Sequence, residues 1–383
     1  MNFETGEEHE LVRGTVRRFA EEELAPVERR MDTEDYFPEE LFRKLGALGM
    51  LGITIPSEYN GAGLDYISQA ICLEEIAKIS PAFALSVGAH SNLCLDNLYR
   101  NGSKEQRETF VPELASGKWI GCLGLTEPTS GSDALSLKTT ATRTSGGYRL
   151  NGSKTFITNA PVADVAIVYA RTAPEMGNRG LSAFIVRTNT PGFRRGKKFD
   201  KLGMRGSPTG EIFLDDCTVG ADALLGGENQ GTSIIMSGLS VERAVLAGIS
   251  LGIQEAAMDI AVKYALERKQ FGVSISEFEM IQEKIANMYV GVEASRLLIY
   301  RALQLLQRDK GRNREAAAAI LFAAETSTKT AMDAIQILGG YGYMRDFRVE
   351  KLMRDAKLLE IGAGTSEIRR LIIAKDIFQK ARG

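Results

Sequence analysis

The chain has 383 residues, of which 44% are hydrophobic, 25% charged and 7% aromatic, and its net charge is −2. That is globular composition, long enough for two or three domains sharing large cores, and the interspersed charges disfavour a nucleic-acid surface. No apolar run approaches the roughly 18 residues of a membrane span, so neither a nucleic-acid nor a membrane partner is expected.

The opening MNFETGEEHELVRG is acidic, without a signal-peptide core or the basic character of a transit peptide. It suggests a bacterial cytoplasmic protein, or a mitochondrial-matrix one whose leader was removed and replaced by Met1. Apolar positions at spacings of three and four mark helices from residue 4 to about 114. The first carries Leu11, Val12, Val16, Phe19, Ala20 and Leu24 and ends near Pro26; others are expected over 38–48, 67–79, 83–99 and 103–114. Near Ile120 the period changes. Short strands are expected over 121–126, from Tyr148 through 155–158, and over 162–170, 181–187 and 211–218, suggesting a compact barrel or sandwich. Helices return over 229–268, 277–307, 313–338, 347–357 and 365–382, a bundle-like pattern. The domains expected are thus 1–118 helical, 119–228 β and 229–383 helical.

The cysteines, Cys72, Cys94, Cys122 and Cys217, are far apart and mostly in apolar surroundings. They read as packed, reduced thiols, and no metal pattern is present. With only His9 and His90, a His-based metal site or a Ser-His-Asp triad is nearly excluded. His90 reads as a satisfied polar residue within its helix.

Residues 233–255, SIIMSGLSVERAVLAGISLGIQE, hold the most informative charge. Between positions 228 and 255 only Glu242 and Arg243 are ionised, among apolar residues that cover several faces of a helix. Such a helix is buried, and a carboxylate there costs several kcal/mol unless paired, hydrated or used. Consecutive residues do not face each other, so Arg243 cannot simply neutralise Glu242. Either Glu242 pairs with a base elsewhere in the core, or it has a function.

No dinucleotide fingerprint G-x-G-x-x-G lies between a strand and a helix. Three stretches do offer close backbone approach: LTEPTSGSD (125–133), ILGGYGY (337–343) and IGAGTSE (361–367), the last opening a helix whose N-terminus suits an anion. With KTFITNA (154–160), DKLGMRGSPT (200–209), YALERKQFG (264–272) and EIGAGTSEIRRLIIAKDI (360–377), they make the whole chain resemble the flavin-dependent acyl-CoA dehydrogenases.

The resemblance implies an N-terminal all-α domain, a central β-barrel and a C-terminal four-helix bundle, with FAD between the last two and a homotetramer completing the cofactor site. It implies that Leu123, Leu125 and Thr126 line the flavin, with Phe156, Ile157 and Thr158 covering the ring. Ser132 would touch the thioester arm beside the cofactor, and Asn178, Arg179 and Arg243 the CoA. Ser233, Ser240, Val241, Gly362 and Gly364 would complete the substrate site. Arg268, Gln270 and Phe271, with Gln336, Ile337, Leu338, Gly339 and Gly340, would reach the FAD of the adjoining subunit. Thr365, Ser366 and Glu367 would hold its phosphate side. Glu279 stands where glutamine is usual for an FAD contact.

Most members carry a catalytic glutamate where this chain has Ala363. The isovaleryl-CoA dehydrogenase branch carries it instead within E-R-x-V-L-A-G, which is residues 242–248 here (ERAVLAG). The expected base is therefore Glu242. It would remove the α-proton of an acyl thioester while FAD N5 takes the β-hydride. The FAD ribityl hydroxyl and the Ala363 N–H would hold the thioester oxygen. Glycine at 362, where straight-chain members often have an aromatic residue, makes room for a methyl branch. GAHSNLC (88–94) and KLGMRGS (201–207) also resemble that branch, so the expected substrate is a short branched acyl-CoA, isovaleryl-CoA favoured over straight or cyclic ones. The expected electron acceptor is an electron-transferring flavoprotein. An acyl-CoA oxidase and a non-catalytic scaffold are the rival readings.

Overall fold

The computed structural model describes residues 6–309 and 311–382; the expected helix start at Glu4 lies outside them. Seven helices come first: α1 (Glu7–Phe19), α2 (Ala25–Glu34), α3 (Glu39–Ala47), α4 (Tyr66–Ile79), α5 (Pro81–Gly88), α6 (Asn97–Asn101) and α7 (Lys104–Ala115). Pro26 does not end the first helical stretch. A widened turn, Ala20–Leu24, leads into α2, where proline occupies the first turn and displaces no hydrogen bond that the helix needs. The helix expected over 83–99 likewise contains a widened stretch, Ala89–Asp96, between α5 and α6. Within it His90 is fully buried. Its Nδ1 accepts from Gly121 N–H at 2.9 Å, which leaves Nε2–H to donate to Leu114 O at 3.0 Å. Burial lowers its pKa to about 4, so it is a neutral structural link between the helical domain and the first strand.

Eight strands build the middle domain: β1 (Gly121–Gly124), β2 (Thr140–Thr144), β3 (Gly147–Thr158), β4 (Val165–Arg171), β5 (Leu181–Arg187), β6 (Phe193–Arg195), β7 (Thr209–Gly220) and β8 (Leu224–Leu225). They pair in the order β6-β7-β3-β2-β4-β5-β8, with β1 parallel to β4. The sheet folds over its own core, where Tyr148 of β3 meets Phe184 of β5 at 4.9 Å. Strands β2, β6 and β8 escape the sequence reading because they are polar and exposed, or very short. The strand expected from 162 starts at Val165, because Val162 N–H closes a turn on Asn159 O.

The C-terminal domain comprises α8 (Gly231–Glu267), the hairpin β9 (Lys269–Gln270) and β10 (Val273–Ser274), then α9 (Glu279–Arg308), α10 (Asn313–Leu338), α11 (Val349–Leu359) and α12 (Ser366–Ala381). Helix α8 corrects one expectation: by length and composition it is long and apolar enough to cross a membrane. The physical reason for its apolarity is visible, since 72% of its most apolar stretch is buried inside this protein. It packs directly on α4. A Cβ at Gly248 would lie 2.5 Å from Ala70 O, and one at Gly252 2.3 Å from Glu74 O. Two glycines one turn apart thus bring the helix backbones together and join the N-terminal domain to the bundle.

A buried charge network reinforces that junction. Arg13 Nη1 of α1 donates to Glu74 at 2.8 Å and Glu75 at 2.6 Å on α4, Arg296 of α9 reaches Glu74 at 3.1 Å, and Lys78 bridges Glu75 and Glu255. Burial pushes the Glu74 carboxyl up, and the two arginines oppose that.

Substitution Gly252→Val should therefore force α8 off α4 and destabilise the protein by about 3 kcal/mol, from overpacking. Gly14→Ala, on an exposed helix face with nothing within 4 Å, should instead raise stability by about 0.5–1 kcal/mol. Paired thermal melts check both signs.

Candidate active site

Glu242 lies on α8 with 8% of its surface exposed. Among the described residues its carboxylate makes no hydrogen bond or ion pair. Desolvation is the largest influence on it and raises its pKa to about 7, against the opposing pull of Arg243 and Arg369. Arg243 turns away from its neighbour, and its Nε donates to Ala363 O at 3.0 Å. This places the Arg243 side chain, expected at the CoA, on the turn between α11 and α12.

That turn is closely specified. Ile361 and Gly362 N–H both donate to Leu358 O, and Ser366 N–H returns to Glu360 O at 2.9 Å. Ala363 has a left-handed φ of 55° and Gly364 one of 93°. Arg369 Nη2 donates to Gly362 O at 2.6 Å. The two carbonyls are thus held by two arginines, while the Ala363 N–H has no acceptor among the described residues. Gly362 is not left-handed, and a Cβ there would meet only Leu358 O, at 3.5 Å. The backbone does not require glycine at that position.

On the α8 face that precedes Glu242, Ile235, Gly238 and Leu239 wall a narrow, mostly apolar cleft with Leu93, Asn97, Leu123, Leu125 and Tyr169, whose phenol feels the Glu242 charge. The cleft brings Leu123 and Leu125, the residues expected to line the flavin, to α8. Asn97 Nδ2 donates to the Tyr169 hydroxyl at 3.1 Å inside it. The loop after β1 is fixed by Glu127, whose carboxylate accepts from Lys154 Nζ at 2.7 Å, Lys138 N–H at 2.5 Å and Thr139 N–H at 3.0 Å. Thr126 O accepts from Thr155 N–H at 2.9 Å, holding Thr126 against β3. The Glu127–Lys154 pair, 5% and 0% exposed, is a functional support that sequence reasoning missed. Both charges stand inside the motifs LTEPTSGSD and KTFITNA, which was the available signal.

Between Lys154 and Ile157 the β3–β7 register shifts, and Phe156 takes φ 58°. Its ring leaves the sheet, 69% exposed and 5.6 Å from Phe199. Ile157 turns back into the sheet core at 4% exposure, so only its backbone borders the outer face, and Thr158 follows opposite Thr209.

Ser240 and Val241 are corrections, for neither faces the cleft. Ser240 is fully buried with its one hydroxyl hydrogen shared between Met236 O and Asn313 Oδ1 as alternative acceptors, while Val241 is fully buried in the main core. Helical geometry is the reason, because the turn that directs Glu242 to the cleft directs the two preceding residues away. Asn178 and Arg179 form an exposed turn latched to the start of α8 by the Thr232 hydroxyl on Asn178 O. Ser233 is nearby, also exposed, with its hydroxyl on Gln230 O, and Ser132 is exposed in the loop after β1.

Arg268, Gln270 and Phe271 leave the end of α8 together, and Arg268 lies over Tyr341 at 5.8 Å. Gln336, Gly339 and Gly340 are exposed beside them, whereas the side chains of Ile337 and Leu338 are buried and leave only backbone to offer. Glu279 is exposed at the first position of α9. At the start of α12, Thr365 Oγ1 accepts from Ile368 N–H, Glu367 is exposed, and Ser366 Oγ is buried without a partner. An aromatic ring turned out of the sheet, a hydroxyl-rich loop and a helix N-terminus with an orphaned hydroxyl suit a flat cofactor with a phosphate tail.

Residues 6–118, 122–217 and 229–378 match the N-terminal, middle and C-terminal domain models of acyl-CoA dehydrogenase. The chain is 44% identical to the mitochondrial isovaleryl-CoA dehydrogenase of Oryza sativa, over 97% of this chain and 91% of the relative. It superposes on the butyryl-CoA dehydrogenase of Megasphaera elsdenii with a TM-score of 0.97 at 37% identity, covering 99% of this chain and 100% of the other. It also matches a chain of a structure described as the electron transferring flavoprotein of Acidaminococcus fermentans, with a TM-score of 0.97 at 39% identity over 98% and 99% of the two chains. The protein belongs to the acyl-CoA dehydrogenase family, FAD-dependent oxidoreductases acting on acyl-CoA.

Proposed function

We propose that the protein oxidises a short branched acyl-CoA, isovaleryl-CoA in the first instance, to its 2,3-enoyl thioester, with Glu242 as the base. One observation carries this reading: the Glu242 carboxylate is buried beside an apolar cleft, has no hydrogen-bond partner among the described residues, and has a pKa raised to about 7. A carboxylate so tuned can take an α-proton near neutral pH and hold it in a dry site. Leu125, Thr126, Phe156 and Thr158, with the α12 N-terminus at Thr365, are the groups that would hold FAD. Bound there, FAD supplies the hydride acceptor that α,β-dehydrogenation needs. The free Ala363 N–H is suited to hold the thioester oxygen as negative charge develops on it. The 44% identity to an isovaleryl-CoA dehydrogenase and the absence of a side chain at Gly362 both favour a branched acyl group.

An electron-transferring flavoprotein is the proposed electron acceptor, supported by the match to the Acidaminococcus chain. A homotetramer is proposed from the surface of the bundle. Phe271 is 95% exposed, Met280 77% and Tyr343 85%, and apolar side chains that open are commonly covered by another subunit. Sedimentation velocity should give a tetramer of the 41.8 kDa chain; a monomer would remove that part of the reading.

Glu242→Gln should bind FAD and acyl-CoA yet lose anaerobic flavin reduction by at least about 10²–10⁴-fold. Wild-type reduction should rise with pH through about 7 as the carboxylate ionises. The stability effect has the opposite sense. A raised carboxyl pKa leaves the folded state unpenalised below about pH 4.5, and that advantage is lost as pH rises to about 7. The glutamine variant should therefore be more stable by up to about 3 kcal/mol above pH 7, with no difference at pH 4. Denaturant titrations at both pH values check the sign.

Gly362→Phe should leave FAD content intact and shift preference from isovaleryl-CoA to butyryl-CoA by about 10–200-fold in kcat/KM. An unchanged ratio would separate Gly362 from substrate choice.

A further inference from the structure

Arg369 is the largest side chain buried to less than 2% exposure. A buried guanidinium ordinarily pairs with a carboxylate, because an uncompensated charge in the interior is costly. Arg369 does not. Its one hydrogen bond among the described residues runs from Nη2 to Gly362 O, and Nε and Nη1 have no partner. The two surface-side carboxylates that attract it are engaged elsewhere: Glu325 with Arg370 at 2.7 Å, and Glu360 with Lys357 at 2.7 Å and the Thr328 hydroxyl at 2.6 Å. Arg243 is similar, with its Nε on Ala363 O and its Nη1 buried without a partner. Two buried cations therefore stand by one buried acid, and none of the three is directly paired with another.

We propose that Arg369 is a positioning residue for the proton transfer: with Arg243 it clamps the Gly362 and Ala363 carbonyls, and its charge keeps Glu242 usable as a base. This rests on the reading of Glu242 given above. The clamp matters because the Ala363 N–H belongs to a turn with a left-handed alanine, and a displacement of about 1 Å in such a donor costs about 100-fold in rate. The charge matters because it acts through space. A direct salt bridge would hold Glu242 ionised but weakly basic, whereas no cation at all would leave it protonated. The titratable or charged groups facing Glu242 are Arg243 on α8, Arg369 on α12 and the Tyr169 phenol on β4. Arg369 is the member of this set that comes from the far side of the clamped turn.

The test uses the FAD-loaded protein with Arg369→Gln and Arg369→Lys, reduced anaerobically by isovaleryl-CoA from pH 6 to 9. The Glu242 carboxyl band, identified by its loss in Glu242→Gln, is followed in parallel by infrared titration without substrate. Arg369→Gln should move both midpoints upward by about one pH unit, about a fivefold fall in the ionised fraction at pH 7. Arg369→Lys should keep the midpoint, since the charge remains, but lower the limiting rate at high pH by about tenfold or more, since a flexible ammonium does not reproduce the guanidinium's fixed geometry. Flavin content and Tm report folding, and the lysine variant carries the test if the glutamine variant does not fold. Wild-type midpoints in Arg369→Gln, or a wild-type limiting rate in Arg369→Lys, would overturn the proposal. Equal reduction of wild type and Glu242→Gln would instead remove the base assignment beneath it.

Discussion

Glu242, the proposed base, has its carboxyl pushed up to about 7 because α8 carries it through the interior of the protein. Desolvation is the largest influence on that carboxyl, and it depends on every surface that covers α8: α4 against Gly248 and Gly252, the middle sheet at the cleft, and the α11–α12 turn above Arg243. A looser contact at any of these would admit water, lower the pKa and weaken the base. The packing that holds the domains together is thus also what sets the chemistry.

The same economy recurs in the loops. Glu127 and Lys154 form an ion pair whose burial brings the lysine down to about 8, yet the carboxylate also accepts from Lys138 N–H and from Thr139. Those bonds fold the 125–139 loop onto β3, which holds Leu125 at the cleft and Thr126 against Thr155. A bulge then rotates Phe156 outward while returning Ile157 to the core. At the other side, arginines rather than carboxylates grip the turn. In the proposed reaction, positive charge is the appropriate sign beside a developing enolate-like oxygen and an acid that must ionise.

Much of the architecture was legible from pattern. A helical period before Ile120, alternation after it, and long alanine-rich helices from 229 onward correspond to the three domains. The misses have local causes. Pro26 reads as a stop but sits in a first turn, where proline is tolerated. The polar strand β2 shows no apolar alternation because only Ala141 of its five residues is buried. Helix α8 is as long and apolar as a membrane span although no apolar run was expected to approach that length, because its few charges interrupt the run without offsetting its overall apolarity.

The sequence by itself determined that Glu242 is the one carboxylate between positions 228 and 255, that alanine stands at 363 and that glycine stands at 362. Each is a statement about residue type, which composition and spacing carry directly. Only the tertiary structure decided that Ser240 and Val241 turn away from the cleft, that Arg243 grips Ala363 O, and that Arg369, 126 residues after Arg243, joins it. Direction and long-range pairing depend on how helices are rotated and packed against one another, and no local pattern in the chain encodes that.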